Sequence, residues 1–386
     1  MALSGETTDG HKFVDGAFAS GASGVLVERT VDHPHVRVAD TAEALRALAR
    51  ASRARSSARI IGVTGSAGKT GTKEMLFAAL ERSSRGKAHR SLKSYNNHVG
   101  VPLSLARMPR ETAYGIFEMG MNHVGELSDL TQMVRPDVAI VTTIAPAHVE
   151  FFPDETAIAR AKSEIFEGLR KGGTAIVPRD SPHFELLRDA AVGRGARIVS
   201  FGFHEDADAR AVETLERPGS SLVTARIGDG LLCYRIGQPG LHIVANSLAV
   251  LAAVEAVGGD LASAGLALAE LPGLAGRGAR HLIPHPGGAI LLIDESYNAN
   301  PASMRAAIDG LAKSPNERRI AVLGAMKELG DLSVGYHAQI APLLAQAKVD
   351  EAIFVGPEFE NLVEKLGTGL EGPARFAHCG TAAEAA

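Results

Sequence analysis

The sequence predicts an α/β protein with two successive strand–helix units and a partial α/β piece ahead of them. Short apolar runs without alternation recur along the chain, which is typical of parallel strands buried on both faces. Helix-forming stretches separate these runs. A stretch rich in Gly, Pro and Arg, residues 271–288, interrupts the alternation, which then restarts. We therefore predict domains at 1–57, 58–275 and 276–386, with a doubly wound sheet in the second and a smaller Rossmann-like unit in the third.

The individual elements follow from the same patterns, taken in chain order. Strands are predicted within residues 21–28, 59–64, 114–120, 137–144, 174–178, 196–202, 289–297, 318–325 and 351–356. Helices are predicted from residue 69 onward and at 155–170, 244–257, 301–311 and 337–347. In residues 220–237 a Gly-Asp-Gly turn joins two apolar runs, which predicts a hairpin at the edge of the central sheet.

The composition of the chain argues against several classes of protein. Of 386 residues 45% are hydrophobic and 22% charged, which suits a globular protein with real cores. The formal net charge of -4 gives no basic field for nucleic acid. Cys233 and Cys379 are too few for a disulfide scaffold or a cysteine zinc site. No apolar run is long enough for a membrane span, and the N-terminus lacks a signal pattern, so we expect a cytoplasmic protein.

A candidate phosphate-binding loop lies between a predicted strand and a predicted helix. Its residues are Gly65, Ser66, Ala67, Gly68, Lys69 and Thr70. Glycines let backbone N–H groups face an anion, and the helix N-terminus adds the positive end of its dipole. Lys69 is positioned to reach the β- and γ-phosphates, and the Thr70 hydroxyl to bind Mg²⁺. The full motif has a glycine where this chain has Val63, so the loop is a variant.

Two further side chains follow neighbouring strands. Glu118 closes one apolar run, and His148 follows the next. The carboxyl ends of parallel strands line the crevice in which α/β sheets bind ligands. Each residue also has an ordinary interpretation, as a helix-start carboxylate and a loop histidine. Their common position beside the phosphate loop favours a functional site.

Several motifs in order resemble the Mur ligases, which form amide bonds with ATP during peptidoglycan synthesis. The motifs are "TGSAGKT", "SYNNHVGVPLSL", "EMGMNHVGEL", "APAHVEFF", "AKSEIFEGL", "GLHIVANSLAVLAAV" and "DESYNANPASM". Their combination resembles the branch that adds D-alanyl-D-alanine to UDP-N-acetylmuramoyl-tripeptide. The resemblance implies a three-domain Mur ligase architecture, with a partial N-terminal substrate domain, a central ATPase domain and an incomplete C-terminal ligase domain. It also implies a monomer.

The resemblance implies an acyl-phosphate mechanism with ATP and two Mg²⁺ ions. Thr70 would hold the magnesium on the nucleotide side, and Glu118 and His148 the second ion. In several Mur ligases a lysine at the position of Lys162 carries a carbamate that binds this second metal. From the residues alone, Lys162 also reads as a solvated helix lysine.

The same resemblance assigns the remaining site residues. Asn246 would contact adenine, although a helix cap is an alternative. Asn96 and Asn97 would line the substrate crevice, although turn formation could account for both. Arg277 at the hinge would reach the phosphates, where a solvated arginine is the alternative. The residues that would close over ATP from the third domain are Asp294, Tyr297 and Asn298.

The chain departs from the family pattern at particular places. Ala325 stands where an aspartate is usual, and Thr143 and Ala145 where Asn and Gly are usual. The resemblance also starts part-way through the pattern and stops before its last strand–loop, so a fragment is one interpretation. Two alternative functions therefore stay open. One is another Mur or folylpolyglutamate-type amide ligase, and the other is a truncated homologue that binds nucleotide without catalysis.

Overall fold

The computed structural model describes residues 1–5, 7–147, 149–314 and 318–385. Within these ranges no helix is both long and apolar enough to cross a membrane.

The N-terminal piece is a small parallel sheet with two helices. Strands β1 (Val25–Val27) and β2 (His35–Arg37) pair in parallel, and helices α1 (Val14–Ala19) and α2 (Thr41–Arg55) flank them. The α2 helix begins where the Asp40 carboxylate accepts hydrogen bonds from two first-turn amides, Ala42 N and Glu43 N. This helix carries the chain to the central domain.

The central domain is built on one nine-stranded sheet. Its strands are β3 (Arg59–Thr64), β4 (Ala88–Arg90), β5 (Tyr114–Glu118), β6 (Val138–Val141), β7 (Thr174–Pro178), β8 (Arg197–Gly202), β9 (Ala209–Arg217), β10 (Ser220–Ile227) and β11 (Gly230–Ile236). Their order across the sheet is β11-β10-β9-β8-β7-β6-β3-β5-β4. Strands β3 to β9 pair in parallel, and the β9-β10-β11 meander is antiparallel. The predicted hairpin at the sheet edge is therefore confirmed.

Helices cover both faces of this sheet, as the doubly wound prediction requires. They are α3 (Lys69–Ser84), α4 (Gly100–Ala106), α5 (Glu126–Val134), α6 (Glu155–Ser163), α7 (Phe184–Val192), α8 (Leu241–Ala256) and α9 (Leu261–Glu270). One apolar core packs α3, α8 and α9 against the sheet, and a second packs α5, α6 and α7 against the other face. Because β3 lies between β5 and β6, the chain reverses direction across the sheet there, which opens a ligand crevice at the carboxyl ends of these strands.

The C-terminal unit has two separate small sheets. Strands β12 (Ala279–His285) and β13 (Gly288–Asp294) form an antiparallel hairpin, and β14 (Ile320–Gly324), β15 (Glu351–Val355) and β16 (Arg375–Cys379) form a parallel sheet. The helices are α10 (Pro301–Ala312), α11 (Ser333–Ala338), α12 (Ile340–Gln346), α13 (Glu360–Gly367) and α14 (Ala382–Ala385). Helices α10, α12 and α13 pack on the β14–β15 sheet in one apolar core.

Three predicted elements differ from the structure. The Gly/Pro/Arg-rich stretch is not a linker throughout, because its second half forms β12. The helix predicted at 337–347 is two helices, since Pro342 near the start of α12 has no N–H to continue the ladder from α11. The helix predicted at 155–170 ends at Ser163 and continues as a 3-10 turn, where Thr131 Oγ1 binds the Ile165 carbonyl.

Candidate active site

The phosphate loop connects β3 to α3 and is held in place by the neighbouring loop after β6. Gly65 and Gly68 have φ values of 148° and 82°, a region that favours glycine. Ser66 N donates to the Thr143 carbonyl at 2.7 Å, and Ser66 Oγ to the Ala145 carbonyl at 2.8 Å. Because Ser66 contacts only backbone atoms there, the unusual side chains at positions 143 and 145 leave these bonds intact.

Lys69 is folded back onto the loop that it follows. Its Nζ donates to the Gly65 carbonyl at 2.6 Å. Burial lowers the pKa of this ammonium, and the nearby Glu118 charge partly opposes that shift. The side chain therefore lies where a phosphate would replace the carbonyl as its partner.

Glu118 joins the phosphate loop to the loop before α4. It ends β5 and is 1% exposed. Thr70 Oγ1 donates to Glu118 Oε2 at 2.9 Å, and Asn96 Nδ2 donates to Oε1 at 2.8 Å. Octahedral Mg²⁺ with bonds of about 2.0–2.1 Å places adjacent oxygen ligands about 2.9 Å apart. The 2.9 Å between the Thr70 and Glu118 oxygens is the length of their hydrogen bond, and it is also compatible with adjacent ligands of one magnesium ion.

His148 lies outside the described residues, so its predicted position is not described. Among the residues that the structure does describe, no three His, Cys, Asp or Glu side chains gather as a metal-binding group.

Lys162 is buried in α6 at 1% exposure, so the interpretation as a solvated lysine is wrong. Burial, and secondarily the Lys69 charge, lower its pKa well below the ordinary value. Within the described ranges no carboxylate pairs with it. Loss of the proton is therefore easier at Lys162 than at an exposed lysine.

The three candidate asparagines differ in whether their side chains contact the rest of the site or only shape local backbone. Asn246 lies in the second turn of α8, which begins after Gly240, so the helix-cap interpretation is wrong. A Cβ placed on Gly68 would be 2.8 Å from Asn246 Nδ2, so this side chain packs against the phosphate loop. Asn97 Oδ1 accepts from Val99 N and Gly100 N, so its side chain does form the turn. Asn96 instead bonds Glu118.

The C-terminal unit contributes Arg277 and Tyr297 to the edge of this site. The Arg277 guanidinium lies 4.1 Å from the Tyr297 ring centroid, and its Nη2 donates to Ser94 Oγ at 3.4 Å. Ser94 Oγ is in turn 3.2 Å from Thr70 Oγ1. A cleft of about 290 Å³ lies between these residues. Arg277 is therefore not a solvated linker residue.

The side chains of Asp294 and Asn298 form hydrogen bonds with neighbouring groups of the C-terminal unit. The Asp294 carboxylate accepts from Gly276 N at 2.8 Å and from the Ser296 hydroxyl at 2.6 Å, and these groups together with Ser296 N lower its pKa. The exposed Asn298 accepts from Ala299 N. The structure does not bring these two side chains to the phosphate loop.

A larger pocket of about 870 Å³ opens on the other side of Asn96. Asn96, Asn97, His98 and Asn122 line it, and so do three arginines of α2. Of these arginines, Arg53 donates to the carbonyls of Val134 and Arg135, and Arg50 is exposed. Glu126 and Asp129 also line the pocket, so its wall carries both basic and acidic side chains.

Comparison with known proteins identifies the family. The Mur ligase middle domain matches residues 63–254, and the Mur ligase glutamate ligase domain matches residues 282–386. The chain belongs to the Mur ligase family. The sequence resemblance is thereby confirmed.

Relatives of this Mur ligase in several bacteria share one name. The UDP-N-acetylmuramoyl-tripeptide--D-alanyl-D-alanine ligase of Escherichia coli is 35% identical over 373 residues, covering 96% of this chain and 80% of its own. That of Bacillus subtilis is 34% identical and covers 92% and 76%. The MurF crystal structure from Acinetobacter baumannii has a TM-score of 0.85 at 34% identity, covering 100% and 82%. MurF from Thermotoga maritima, in complex with ADP, has 0.79 at 27%, covering 98% and 89%.

A glutamate lies close to Ala325, one of the positions at which this Mur ligase departs from the family pattern. A Cβ on Gly356 would lie 3.0 Å from both the Ala325 Cβ and Glu358 Oε2. Glu358, which pairs with Lys327, therefore keeps a carboxylate next to the position where the aspartate is missing.

Sequence reasoning missed three side chains of this Mur ligase site. Thr142 Oγ1 donates to the Ala67 carbonyl at 2.5 Å, and Ser94 links Arg277 to Thr70. Lys73 lies within ion-pair distance of Glu118. Lys73 had a signal in the sequence: it follows Lys69 by four residues on one helix face, where two cations repel unless acids lie nearby.

Proposed function

We propose that this Mur ligase joins D-alanyl-D-alanine to UDP-N-acetylmuramoyl-tripeptide with ATP, during peptidoglycan synthesis. The observation that carries the proposal is the double contact of Glu118. Its carboxylate accepts one hydrogen bond from Thr70 of the phosphate loop and another from Asn96, which lines the large pocket. One carboxylate thus stands between a nucleotide site and a substrate site, and the names of the relatives specify the substrates.

The nucleotide side uses the phosphate loop and the hinge. The loop residues Gly65 to Thr70 would cradle the phosphates with first-turn amides of α3, which have no intrahelical carbonyl partner. Lys69 would exchange the Gly65 carbonyl for a phosphate oxygen. Asn246 would contact adenine, and Arg277 the phosphates. Closure over ATP by Asp294, Tyr297 and Asn298 would require Asp294 and Asn298 to leave their present hydrogen bonds, whereas Tyr297 already lines the cleft. The ADP complex of a relative supports a nucleotide here.

The donor set fits magnesium. Thr70 and Glu118 offer hard oxygen ligands at the spacing of adjacent octahedral positions. For a second ion we propose His148 and a carbamate on Lys162 alongside Glu118. Magnesium, when bound, neutralises the repulsion between phosphate and carboxylate. The protein's part is to hold these oxygens and to keep the site dry.

The large pocket would hold the muramoyl substrate. Its carboxylate would lie at the Asn96 end, close to Glu118, and Asn97 would shape that wall through its turn. The arginines of α2 would face the anionic diphosphate of the substrate at the other end.

The reaction then needs two displacements. A carboxylate oxygen of the tripeptide attacks the γ-phosphorus of ATP, and the bond to ADP breaks, which leaves an acyl phosphate. The amine of D-alanyl-D-alanine attacks the acyl carbon, a proton leaves the nitrogen, and phosphate departs. Lys69 and Arg277 supply positive charge where phosphoryl charge develops. We further propose that the enzyme acts in the cytoplasm as a monomer.

A direct assay separates this proposal from the alternatives. Purified protein is given ATP, UDP-N-acetylmuramoyl-tripeptide and D-alanyl-D-alanine, and phosphate release and the pentapeptide product are measured. We expect both only when all three substrates are present. Nucleotide binding without product would support a non-catalytic homologue. Product formation with a single amino acid in place of the dipeptide would support another amide ligase.

A further inference from the structure

Lys73 is a completely buried lysine next to the phosphate loop. It lies one turn after Lys69 in α3, and its side chain is 0% exposed. Burying an ammonium is costly unless charge partners and hydrogen bonds replace water. Its surroundings supply both, so the position of this ammonium is tightly defined.

The ammonium contacts three separate parts of the site. Its Nζ is 3.1 Å from Glu74 Oε1 and 3.7 Å from Glu118 Oε2. It also donates to the Lys93 carbonyl. Lys93 has a φ of 49°, a conformation uncommon for residues other than glycine, so this contact helps to hold a strained turn.

The strained turn leads into residues 94–97, which carry site side chains. Ser94 contacts Thr70, and Asn96 donates to Glu118. The backbone of Asn96 also accepts from Gly120 N at 2.8 Å. Lys73 therefore holds one end of this segment, and Glu118 with the residues after it holds the other.

Three side chains contact the Glu118 carboxylate: Thr70 and Asn96 donate hydrogen bonds to it, and Lys73 lies within ion-pair distance. Of these three, Lys73 carries the charge opposite to that of the carboxylate. Without Lys73, the Glu74 and Glu118 carboxylates would also lose the cation between them.

We infer that Lys73 is a positioning residue of the ligase, which holds Glu118 and the 93–97 segment in register with the phosphate loop. The inference rests on the function proposed above. It makes two claims: the role is geometric as well as electrostatic, and it reaches the substrate side through Asn96.

The test compares three variants. Lys73→Met removes the charge and keeps most of the length. Lys73→Met with Glu74→Gln also removes one of the two acids that Lys73 faces, the one that additionally pairs with Arg90. Leu76→Ala is the matched control, because Leu76 is buried in the same helix but packs in the apolar core. Steady-state kinetics, Tm and hydrogen–deuterium exchange of residues 92–97 are measured for each.

For Lys73→Met we expect kcat to fall by about 100-fold, the scale of a small misplacement of reacting groups. KM for ATP should change much less, and exchange of 92–97 should accelerate. The double variant should stay as slow as the single one. Leu76→Ala should lower Tm with normal exchange in 92–97 and near-normal kcat.

Three results would overturn the inference: restored kcat in the double variant, an equal loss of kcat in Leu76→Ala, or unchanged exchange in folded Lys73→Met. If Lys73→Met does not fold, Lys73→Arg is tested in its place, since it keeps the charge but not the compact ammonium. Parental kcat and exchange in Lys73→Arg would contradict a geometric role. A parent protein that forms no amide would refute the proposed function, while the exchange comparison would still decide whether Lys73 holds the loop.

Discussion

At the scale of single residues, three lysines near the phosphate loop have different surroundings. Lys69 donates to a carbonyl, Lys73 faces two carboxylates, and Lys162 has no acidic partner among the residues described. The three side chains are chemically identical, so their surroundings account for the differences in their charge partners. Lys69 is free to exchange partners, Lys73 is held in place, and Lys162 is suited to become a neutral amine.

Lys69→Ala should lower ATP-dependent turnover by about 100-fold or more, because an interaction that matures with phosphoryl charge is lost. Tm should stay close to that of the parent. Lys171→Ala, at an exposed lysine, is the control and should keep parental kinetics. A Lys69→Ala protein with parental kinetics would remove this loop from the site.

Lys162→Ala should lower activity by about 10–100-fold, as for removal of a metal-site support. Lys162→Glu should retain more activity, since it keeps an anion there, and bicarbonate should partly restore Lys162→Ala. Carbon-13 NMR of the parent protein with labelled bicarbonate should show a carbamate signal that Lys162→Ala lacks. Parental activity of Lys162→Ala at limiting Mg²⁺ would end the carbamate proposal.

At the scale of elements, the site depends on three neighbouring strands. Strand β3 ends in the phosphate loop, β5 ends at Glu118, and β6 leads into Thr142. Their parallel pairing places the three carboxyl ends side by side. The Thr142 hydroxyl then forms hydrogen bonds with backbone carbonyls at the start of the loop and within it, which hold the loop in place. The start of α3 completes this arrangement.

Two glycines at the start of α3 should respond oppositely to substitution. Gly68→Ala places a Cβ at a φ of 82° and against Asn246, so we expect a loss of about 1–2 kcal/mol in stability and weaker nucleotide binding. Gly71→Ala meets open space inside a helix and should gain about 0.5–1 kcal/mol. Urea unfolding and ADP titration measure both. Equal effects of the two substitutions would contradict this account of the loop.

At the scale of the whole molecule, the C-terminal unit touches the central domain at separate points. Arg277 reaches Ser94, Glu150 N donates to the Glu328 carbonyl at 3.3 Å, and Lys313 pairs with Glu216 at 2.7 Å. The Lys313–Glu216 ion pair lies at the surface and contributes little by itself. The other two contacts are single hydrogen bonds, and Val149 adds an apolar contact because it packs against the cores of both units. We expect that contacts of this kind can open and close.

We predict that saturating ATP and muramoyl substrate make the molecule more compact, because ligands bind between units that few contacts hold together. Small-angle X-ray scattering with and without ligands measures the radius of gyration. An unchanged radius at saturation would show that the hinge does not move.

Stability should fall as pH drops below about 6.5, the usual value for histidine. Burial lowers the pKa of His337, whose Nε2 accepts from Met326 N, and that of the partly buried His89. A lowered folded pKa means that the fold favours the neutral ring, so stability present above 6.5 is lost as protons bind below it. Between pH 7.5 and 5.5, Tm should fall less in His337→Gln than in the parent. His285→Gln, at an exposed ring, should behave like the parent.

The sequence by itself determined the fold class, the phosphate loop and the family. These depend on local order: an apolar run, a glycine turn and a helix in succession require no knowledge of distant residues. The hairpin from Ser220 to Ile236 was equally local, because its turn chemistry lies between its strands. The break at Gln339 also had a local signal, Pro342, which the prediction of one helix did not use. The strand β12 had none, because it depends on pairing with β13.

Only the tertiary structure decided which side chains meet. Residues 73, 94, 96 and 118 lie on a helix, one loop and a strand, and their contact depends on strand order and on how α3 packs. The burial of Lys162 and the packing of Asn246 on Gly68 likewise depend on neighbours distant in sequence. Hydrophobic periodicity specifies which face of an element turns inward. The partner of a buried charge is set by the fold, because an ammonium that has lost its water needs acidic groups that the packed elements bring next to it.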